Sequence, residues 1–372
     1  MIDLGTLRRW PDVEAPDLTA VDAADRLLLD ESATARAGLS EGDIVVIGDA
    51  YGALTLGAAD AGASGIRVHQ DLLTGERALA ANARACGLAD RVRSMPLDAD
   101  LVAGARVVLL RLPRALAALQ DIAGLIAAHA HPEVVVFAGG RLKHMTTAMN
   151  DVLRRSFDRL DVTHARQKAR VLVARGPRDG ADPQPARESH DGLTVCAYGG
   201  VFAGPRIDIG TRLLLENLPD RLPSGAPHDL VVDLACGTGV VASALAMRHP
   251  HLRLYASDAS AAAVASARAT AEANGVAARV TVERDDALSA LSDGVAGLIA
   301  LNPPFHSGAA VTDALAPRLF ADAARVLRPG GELWCVWNSP LHYRPALERL
   351  VGPTRQVARN AKFTVTVSTR RG

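Results

Sequence analysis

Residues 228–239 read HDLVVDLACGTG, an apolar run that ends on an acid and breaks into a glycine-rich turn. Val240 to Met247 follows as an apolar helix. The same alternation continues downstream. A strand Leu252–Ser257 ends at Asp258, and an Ala-rich helix stops at Asn274-Gly275. Strand Val280–Glu283 runs into Asp285-Asp286-Ala287, and strand Gly297–Leu301 runs into Asn302-Pro303-Pro304-Phe305. A helix from about Pro317 to Leu327, a turn at Pro329-Gly330-Gly331 and a strand Glu332–Trp337 complete the set. Strands alternating with helices predict an α/β fold, a Rossmann-like doubly wound and mostly parallel sheet.

The first half repeats the plan. Asp43–Ile47 is a strand followed by Gly48-Asp49-Ala50-Tyr51-Gly52. Setting Gly52 against Gly239 puts Asp71 opposite Asp258 and Val46 in the place of Asp233, with Ala50 where Gly237 stands. Val107–Leu110 runs into Arg111-Leu112-Pro113-Arg114, so Arg111 replaces Asn302; Pro132–Phe137 with Gly139-Gly140 matches the later strand. An acid and a glycine are missing from this copy, which is therefore expected to bind no cofactor. Arg175–Gly192 is rich in Pro, Gly and charge. The organisation expected is a degenerate domain over 1–175, a linker over 176–192 and a catalytic domain over 193–372.

Composition narrows the class. The 372 residues are 49% hydrophobic, enough for two cores, and no apolar run approaches the ~20 residues of a membrane span. The first residues, MIDLGTLRRWPDVEAPD, have no secretory character. Cys86, Cys196, Cys236 and Cys335 show no CxxC spacing, which argues against a metal site or a disulfide framework and for the reduced cytoplasm. Charge is balanced, 41 basic against 41 acidic, so net charge does not advertise nucleic acid. Lys143, Lys168 and Lys362 are the only lysines, and the Arg and Ala excess reads first as coding bias.

The glycine turn is D-x-x-x-G-x-G. It lacks the third glycine of a dinucleotide fingerprint, and its acid precedes the glycines. A cofactor with an ammonium and no phosphate suits it better, which is S-adenosylmethionine. Gly237 and Gly239 would let backbone pass close to the adenosine. Asp258 can accept the ribose hydroxyls, and Asp286-Ala287 can meet the adenine edge. Each acid taken alone is also a sound helix N-cap; three at successive strand ends point to a ligand. Asn302-Pro303-Pro304-Phe305 cannot continue a helix or a central strand. The bend presents an amide, a carbonyl and a ring to a planar nitrogenous substrate.

With residues 202–212 (FAGPRIDIGTR), the DLACGTG turn, LNPPFHSG at 301–308, residues 328–343 (RPGGELWCVWNSPLHY) and the ending ARNAKFTVTVSTRRG, the chain resembles the two-domain ribosomal RNA guanine-N2 methyltransferases. That resemblance spans essentially the whole chain. It implies two tandem class I methyltransferase folds, the amino-terminal one degenerate and used for RNA binding or positioning. It implies S-adenosylmethionine as donor and a guanine exocyclic amine of ribosomal RNA as acceptor, and the NAKF ending points to the large-subunit branch. Asp208 and Cys236 join Asp233, Gly237, Gly239, Asp258, Asp286, Ala287 and Asn302 as cofactor-binding candidates. Two features depart from the family pattern. The helix after Asp258 is nearly all alanine, so base contacts there do not transfer, and Tyr198-Gly199-Gly200 differs from the usual lead-in.

Asn302 Oδ1 and the Pro303 carbonyl are expected to accept the two hydrogens of the amine, with Pro304 stiffening the bend and Phe305 stacking on the base. His306 is expected to hydrogen-bond structurally or to substrate, and Trp334 and Trp337 to be core. RNA-contact candidates are Arg111 and Arg114 at the dead copy's strand end, and Lys362, Arg370 and Arg371 in the tail. The alternatives are small-subunit RNA, adenine-N6 or protein glutamine methylation, and an RNA-binding or remodelling module. No metal, no membrane and a monomer are expected.

Overall fold

A computed structural model describes residues 2–220, 230–304 and 309–372, with the backbone alone for 309–314. Two units emerge, one of Met1–Gln184 with Tyr198–Gly200, the other of Pro185–Ala197 with Val201–Gly372.

In the first unit the strands are β1 (Ile44–Ile47), β2 (Ile66–His69), β3 (Val92–Ser94), β4 (Val107–Arg111), β5 (Val135–Arg141), β6 (Phe157–Val162) and β7 (Ala169–Pro177). They form one sheet in the order β3-β2-β1-β4-β5-β7-β6, parallel except where β7 pairs with β5 and β6. The helices are α1 (Ala23–Arg36), α2 (Ala53–Asp60), α3 (Leu73–Ala85), α4 (Ala99–Val102), α5 (Leu116–His129) and α6 (Thr147–Ser156). β1 is IVVI because both its faces are covered. Ile44 and Val46 pack into one core with α1 and α2, and Val45 and Ile47 into another with α5 and α6.

The 176–192 stretch expected as a linker is in part regular: β8 (Ala186–His190) pairs antiparallel with β9 (Leu193–Ala197). The second unit continues with α7 (Ile209–Asn217), β10 (Leu230–Leu234), α8 (Val240–Arg248), β11 (Leu254–Asp258), α9 (Ala261–Ala273), β12 (Val280–Arg284), β13 (Ala296–Leu301), α10 (Ala309–Val326), β14 (Leu327–Asn338), α11 (Arg344–Leu350), β15 (Thr354–Arg359) and β16 (Phe363–Thr369). Its sheet order, β12-β11-β10-β13-β14-β16-β15, repeats that of the first unit strand for strand.

Three expectations change. The helix expected from about Pro317 starts at Ala309, so Pro317 lies inside it and that turn lacks one backbone donor. The expected Pro329–Gly331 turn lies inside β14, where Leu327 pairs with Ala296 and Glu332 with Leu298; the residues between loop out at left-handed Gly330. Register also moves one equivalence. Val46 faces Val68 as Asp233 faces Ala256, so Gln70 and not Asp71 corresponds to Asp258. The first copy's helix α2 is one residue shorter than α8, eight residues against nine, while the connection to the second strand has five residues in both. Arg111 does stand at the position of Asn302, because Ile47 faces Leu110 as Leu234 faces Leu301.

Candidate functional site

β10 and β13 are neighbours in the second sheet, and the strand order reverses between them. A ligand crevice is expected outside the carboxyl ends of strands at such a reversal. Ala235 leaves β10 with φ +56 and begins the turn. The Cys236 backbone N–H ties the turn to Ser257 O at 3.0 Å. The Gly237 N–H donates to Asp258 Oδ2 at 3.0 Å, and Asp258 Oδ1 accepts from Ser260 N at 2.9 Å. Asp258 therefore holds the glycine turn and its own helix start with one carboxylate, beside the place where ribose hydroxyls are expected.

The two glycines have different reasons. A Cβ on Gly237 would meet nothing within 4 Å, so that backbone faces open space, as close approach of a ligand requires. A Cβ on Gly239 would lie 2.8 Å from Ala267 Cβ, at φ +70. Gly239 is thus needed to seat α8 against α9, a packing reason that the sequence reading did not give.

Asp233 is 4% exposed and accepts from Ala242 N at 3.0 Å, capping the first turn of α8 from within the sheet because Gly239 has no side chain to do so. Burial, with a smaller push from Asp258, raises its carboxyl to about 8 against the pull of the Ala242 N–H. Its folded value lies above the ordinary value near 4, so its contribution to stability is fully present below about pH 4 and is lost as pH rises towards 8. Asp233→Asn keeps the acceptor and removes the titration. The melting-temperature advantage of wild type over Asp233→Asn should shrink between pH 5 and 8 and level off above. A constant difference by calorimetry at pH 5, 6.5 and 8.5 would refute this. Burial likewise holds the Cys236 thiol well above its usual range, so it stays neutral.

Asn302 is the most telling residue. Its Nδ2 donates to Thr211 Oγ1 at 3.0 Å and reaches Asp208 Oδ2 at 3.5 Å. Asp208 is the N-cap of α7, accepting from Gly210 N at 2.9 Å. A carboxylate only accepts, which sets the amide's orientation with nitrogen towards α7 and oxygen away. Asn302 Oδ1 is buried and has no hydrogen-bond donor among the described residues. An orphan acceptor of this kind costs about 1–3 kcal/mol until a donor arrives. Pro303 is buried and Pro304 exposed. Phe305 and His306, expected to stack and to hydrogen-bond, lie outside the described residues.

On β12's far side, Asp285 accepts from Asp286 N and Ala290 N and from the Ser289 hydroxyl, fixing the loop. Asp286, almost buried, is paired with Arg318 from α10. Ala287 takes φ +59 and its carbonyl accepts from Ser257 Oγ. Thr211 and Arg318 are the residues sequence reasoning missed. Thr211's place in the first turn of a helix carries no chemical signal, and Arg318 lies far along the chain from Asp286.

The first unit has the same positions closed. Asp49, 1% exposed, accepts from Thr55 N, Thr55 Oγ1 and Gly52 N, so its carboxylate occupies the amino end of α2. Gln70, at the Asp258 position, donates to the carbonyls of Asp49 and Ala50. Arg111, expected to face phosphate, is instead bound by Asp22 and Asp25, the capping-box acids of α1.

The tail cations separate. β16 runs antiparallel to β14, with Phe363 opposite Asn338 and Thr369 opposite Glu332. Exposed Lys362 is therefore at the edge that carries Asn302, and Arg370 and Arg371 are at the other edge. Arg370 is spent on Leu327 O and Arg371 on Glu348 O, so neither forms an RNA track beside the site. Trp334 and Trp337, 4% and 2% exposed, are core. Among the described residues there is no cluster of three or more potential metal ligands, and no helix long and apolar enough to cross a membrane.

Residues 192–367 match the family described as "Methyltransferase small domain", and residues 3–178 match "RLMG N-terminal domain". A relative in Streptomyces coelicolor named "Ribosomal RNA large subunit methyltransferase G" is 37% identical, covering 96% of this chain and 96% of its own. Another of that name in Shewanella amazonensis is 35% identical, covering 96% of this chain and 94% of its own. Among solved structures, a T. thermophilus 16S rRNA N2 methyltransferase in complex with AdoMet and guanosine superposes with TM-score 0.74 at 23% identity, covering 94% of this chain and 92% of that one. At that identity the likeness speaks for the fold.

Proposed function

Because this chain belongs to the ribosomal RNA large subunit methyltransferase G family, we propose that it transfers a methyl group from S-adenosylmethionine to the exocyclic N2 amine of a guanine in large-subunit ribosomal RNA. The observation that carries the chemistry is Asn302 Oδ1, buried, oriented and lacking a donor among the described residues at the end of β13. When bound, the cofactor would supply a sulfonium methyl, an electrophile strong enough that the amine need not be deprotonated before attack; the thioether departs with the C–S bond pair and the methylated nitrogen then loses its extra proton to water.

The open backbone at Gly237, the Asp258 carboxylate on the turn and the Asp286–Ala287 corner fit such a group, the acids taking the ribose and the adenine edge. Arg318 restrains the Asp286 carboxylate from one side. The guanine amine is a poor nucleophile because its lone pair is delocalised into the ring. Asn302 Oδ1 would accept one of its hydrogens and the Pro303 carbonyl the other, which favours a pyramidal nitrogen with its lone pair turned towards the methyl. Thr211 and Asp208 prevent the amide from turning its NH2 to the substrate. Positioning then contributes most of the rate.

The first unit, with its turn filled by Asp49 and Gln70, serves the RNA rather than a second cofactor. Labelled S-adenosylmethionine offered separately to 23S and 16S RNA from cells lacking the protein should label 23S alone, as N2-methylguanosine. Label in 16S RNA, in DNA or in a protein glutamine instead would overturn the assignment.

A further inference from the structure

At the carboxyl ends of β4 and β5 in the first unit, where the second unit has Asn302, there is a cleft of about 340 Å³. Arg111 and Asp22 line it, and Arg111 is paired with both Asp22 and Asp25, so those three charges largely satisfy one another. Arg114, Arg141, Lys143 and His144 also line the cleft, from the loop after β4, the end of β5 and the turn after it. Among the described residues Arg114, Arg141 and Lys143 have no carboxylate partner, and the Nε of Arg141 is buried with no acceptor at all.

Elsewhere in the chain many arginines are paired, Arg166, Arg175, Arg178 and Arg325 among them. His144 is held below its ordinary basicity by burial and then by Arg114, Lys143, Arg141 and Arg111, a sign of how positive the cleft is. Collecting unpaired cations on separate loops is costly unless an anion joins them.

We propose that this cleft binds the phosphodiester backbone of the RNA substrate, one phosphate against Arg141 and its neighbours along the rim at Arg114 and Lys143. The lining offers no Phe, Tyr or Trp to stack on a base, and its carboxylate, Asp22, is taken by Arg111. The site thus reads charge and spacing, not sequence. This rests on the RNA substrate assigned above, and it gives the degenerate half a defined contact at the position where the active half has its catalytic bend.

The test uses the full chain in two variants, Arg114→Glu/Lys143→Glu and Arg141→Gln, with Arg114→Gln/Lys143→Gln as a milder pair and thermal unfolding to check folding. The ligand is 23S RNA from cells lacking the protein, and inorganic phosphate and a free nucleoside monophosphate serve as competitors. The charge reversal should weaken RNA binding and raise the RNA KM at least about tenfold. It should flatten the log–log salt dependence by about 1.5, for two lost phosphate contacts. Affinity for S-adenosylmethionine and kcat at saturating RNA should not change.

Wild-type RNA affinity and salt slope in folded variants would overturn the proposal. So would a free phosphate ion that loses binding in the variants while RNA does not. Should the wild-type protein methylate no RNA, the functional reading fails by itself, because binding and its salt slope are read without catalysis.

Discussion

Asn302→Ala is expected to lower kcat by about 10³-fold or more while S-adenosylmethionine binds within a few-fold of wild type. The scale is that of removing one preorganised polar group from a reacting centre. Its reason is local: the Asn302 Oδ1 has no partner among the described residues, so the fold gains little from it until a substrate donor arrives. Truncation even relieves an orphaned acceptor, and melting temperature should fall little. The companion variant Thr211→Val keeps shape and removes the acceptor that holds Nδ2 at 3.0 Å. The amide is then free to turn, and kcat should drop about tenfold, or about 1.4 kcal/mol, with both KM values within about twofold. A structural role for Thr211 would instead move stability and KM together. Normal methylation by Asn302→Ala would remove the mechanism.

Gly239→Val is the second large effect, and it acts through folding. The new Cβ would lie 2.8 Å from Ala267 Cβ and 3.0 Å from Ala267 Cα, at φ +70, where a β-branched residue is strained. Backbone strain of about 1–3 kcal/mol and overpacking of similar size add to roughly 2–6 kcal/mol. For a unit of this length that lowers its melting temperature by about 10 °C, and cofactor binding goes with it as α8 is pushed off α9. Gly237→Ala separates the two glycines. Nothing lies within 4 Å of its Cβ, so stability should fall only by about 1 kcal/mol for the positive φ. Affinity for S-adenosylmethionine should still fall, because the methyl projects where the ligand approaches. Equal behaviour of the two variants in melting and in binding would show that the glycines share one role.

Much of the architecture was readable from residue pattern. The IVVI and LVVDL runs are apolar because both faces of a parallel strand are covered, and each is followed by a turn and a helix that short-range chemistry dictates. The repeat was legible for the same reason, down to Arg111 standing where Asn302 stands. Where a glycine and proline signal was ambiguous the reading slipped: Pro317 looked like a helix start and lies inside α10. A one-residue difference in helix length, between α2 and α8, moved the Asp258 equivalence from Asp71 to Gln70, which only hydrogen-bond register can fix.

The amino-acid order by itself determined two wound sheets, a second copy that keeps its acids and glycines and a stiff Asn-Pro-Pro bend at the end of β13, because these depend on periodicity and on what Gly, Pro and Asp do within a few residues. Tertiary structure alone decided which polar groups are occupied. Arg111 is bound by two acids more than eighty residues away, antiparallel β16 carries Arg370 and Arg371 to the edge opposite the site, and Thr211 holds Asn302 from ninety-one residues before it. A side chain's chemistry is written in its identity, but its partner is set by distances that exist only after the chain has packed.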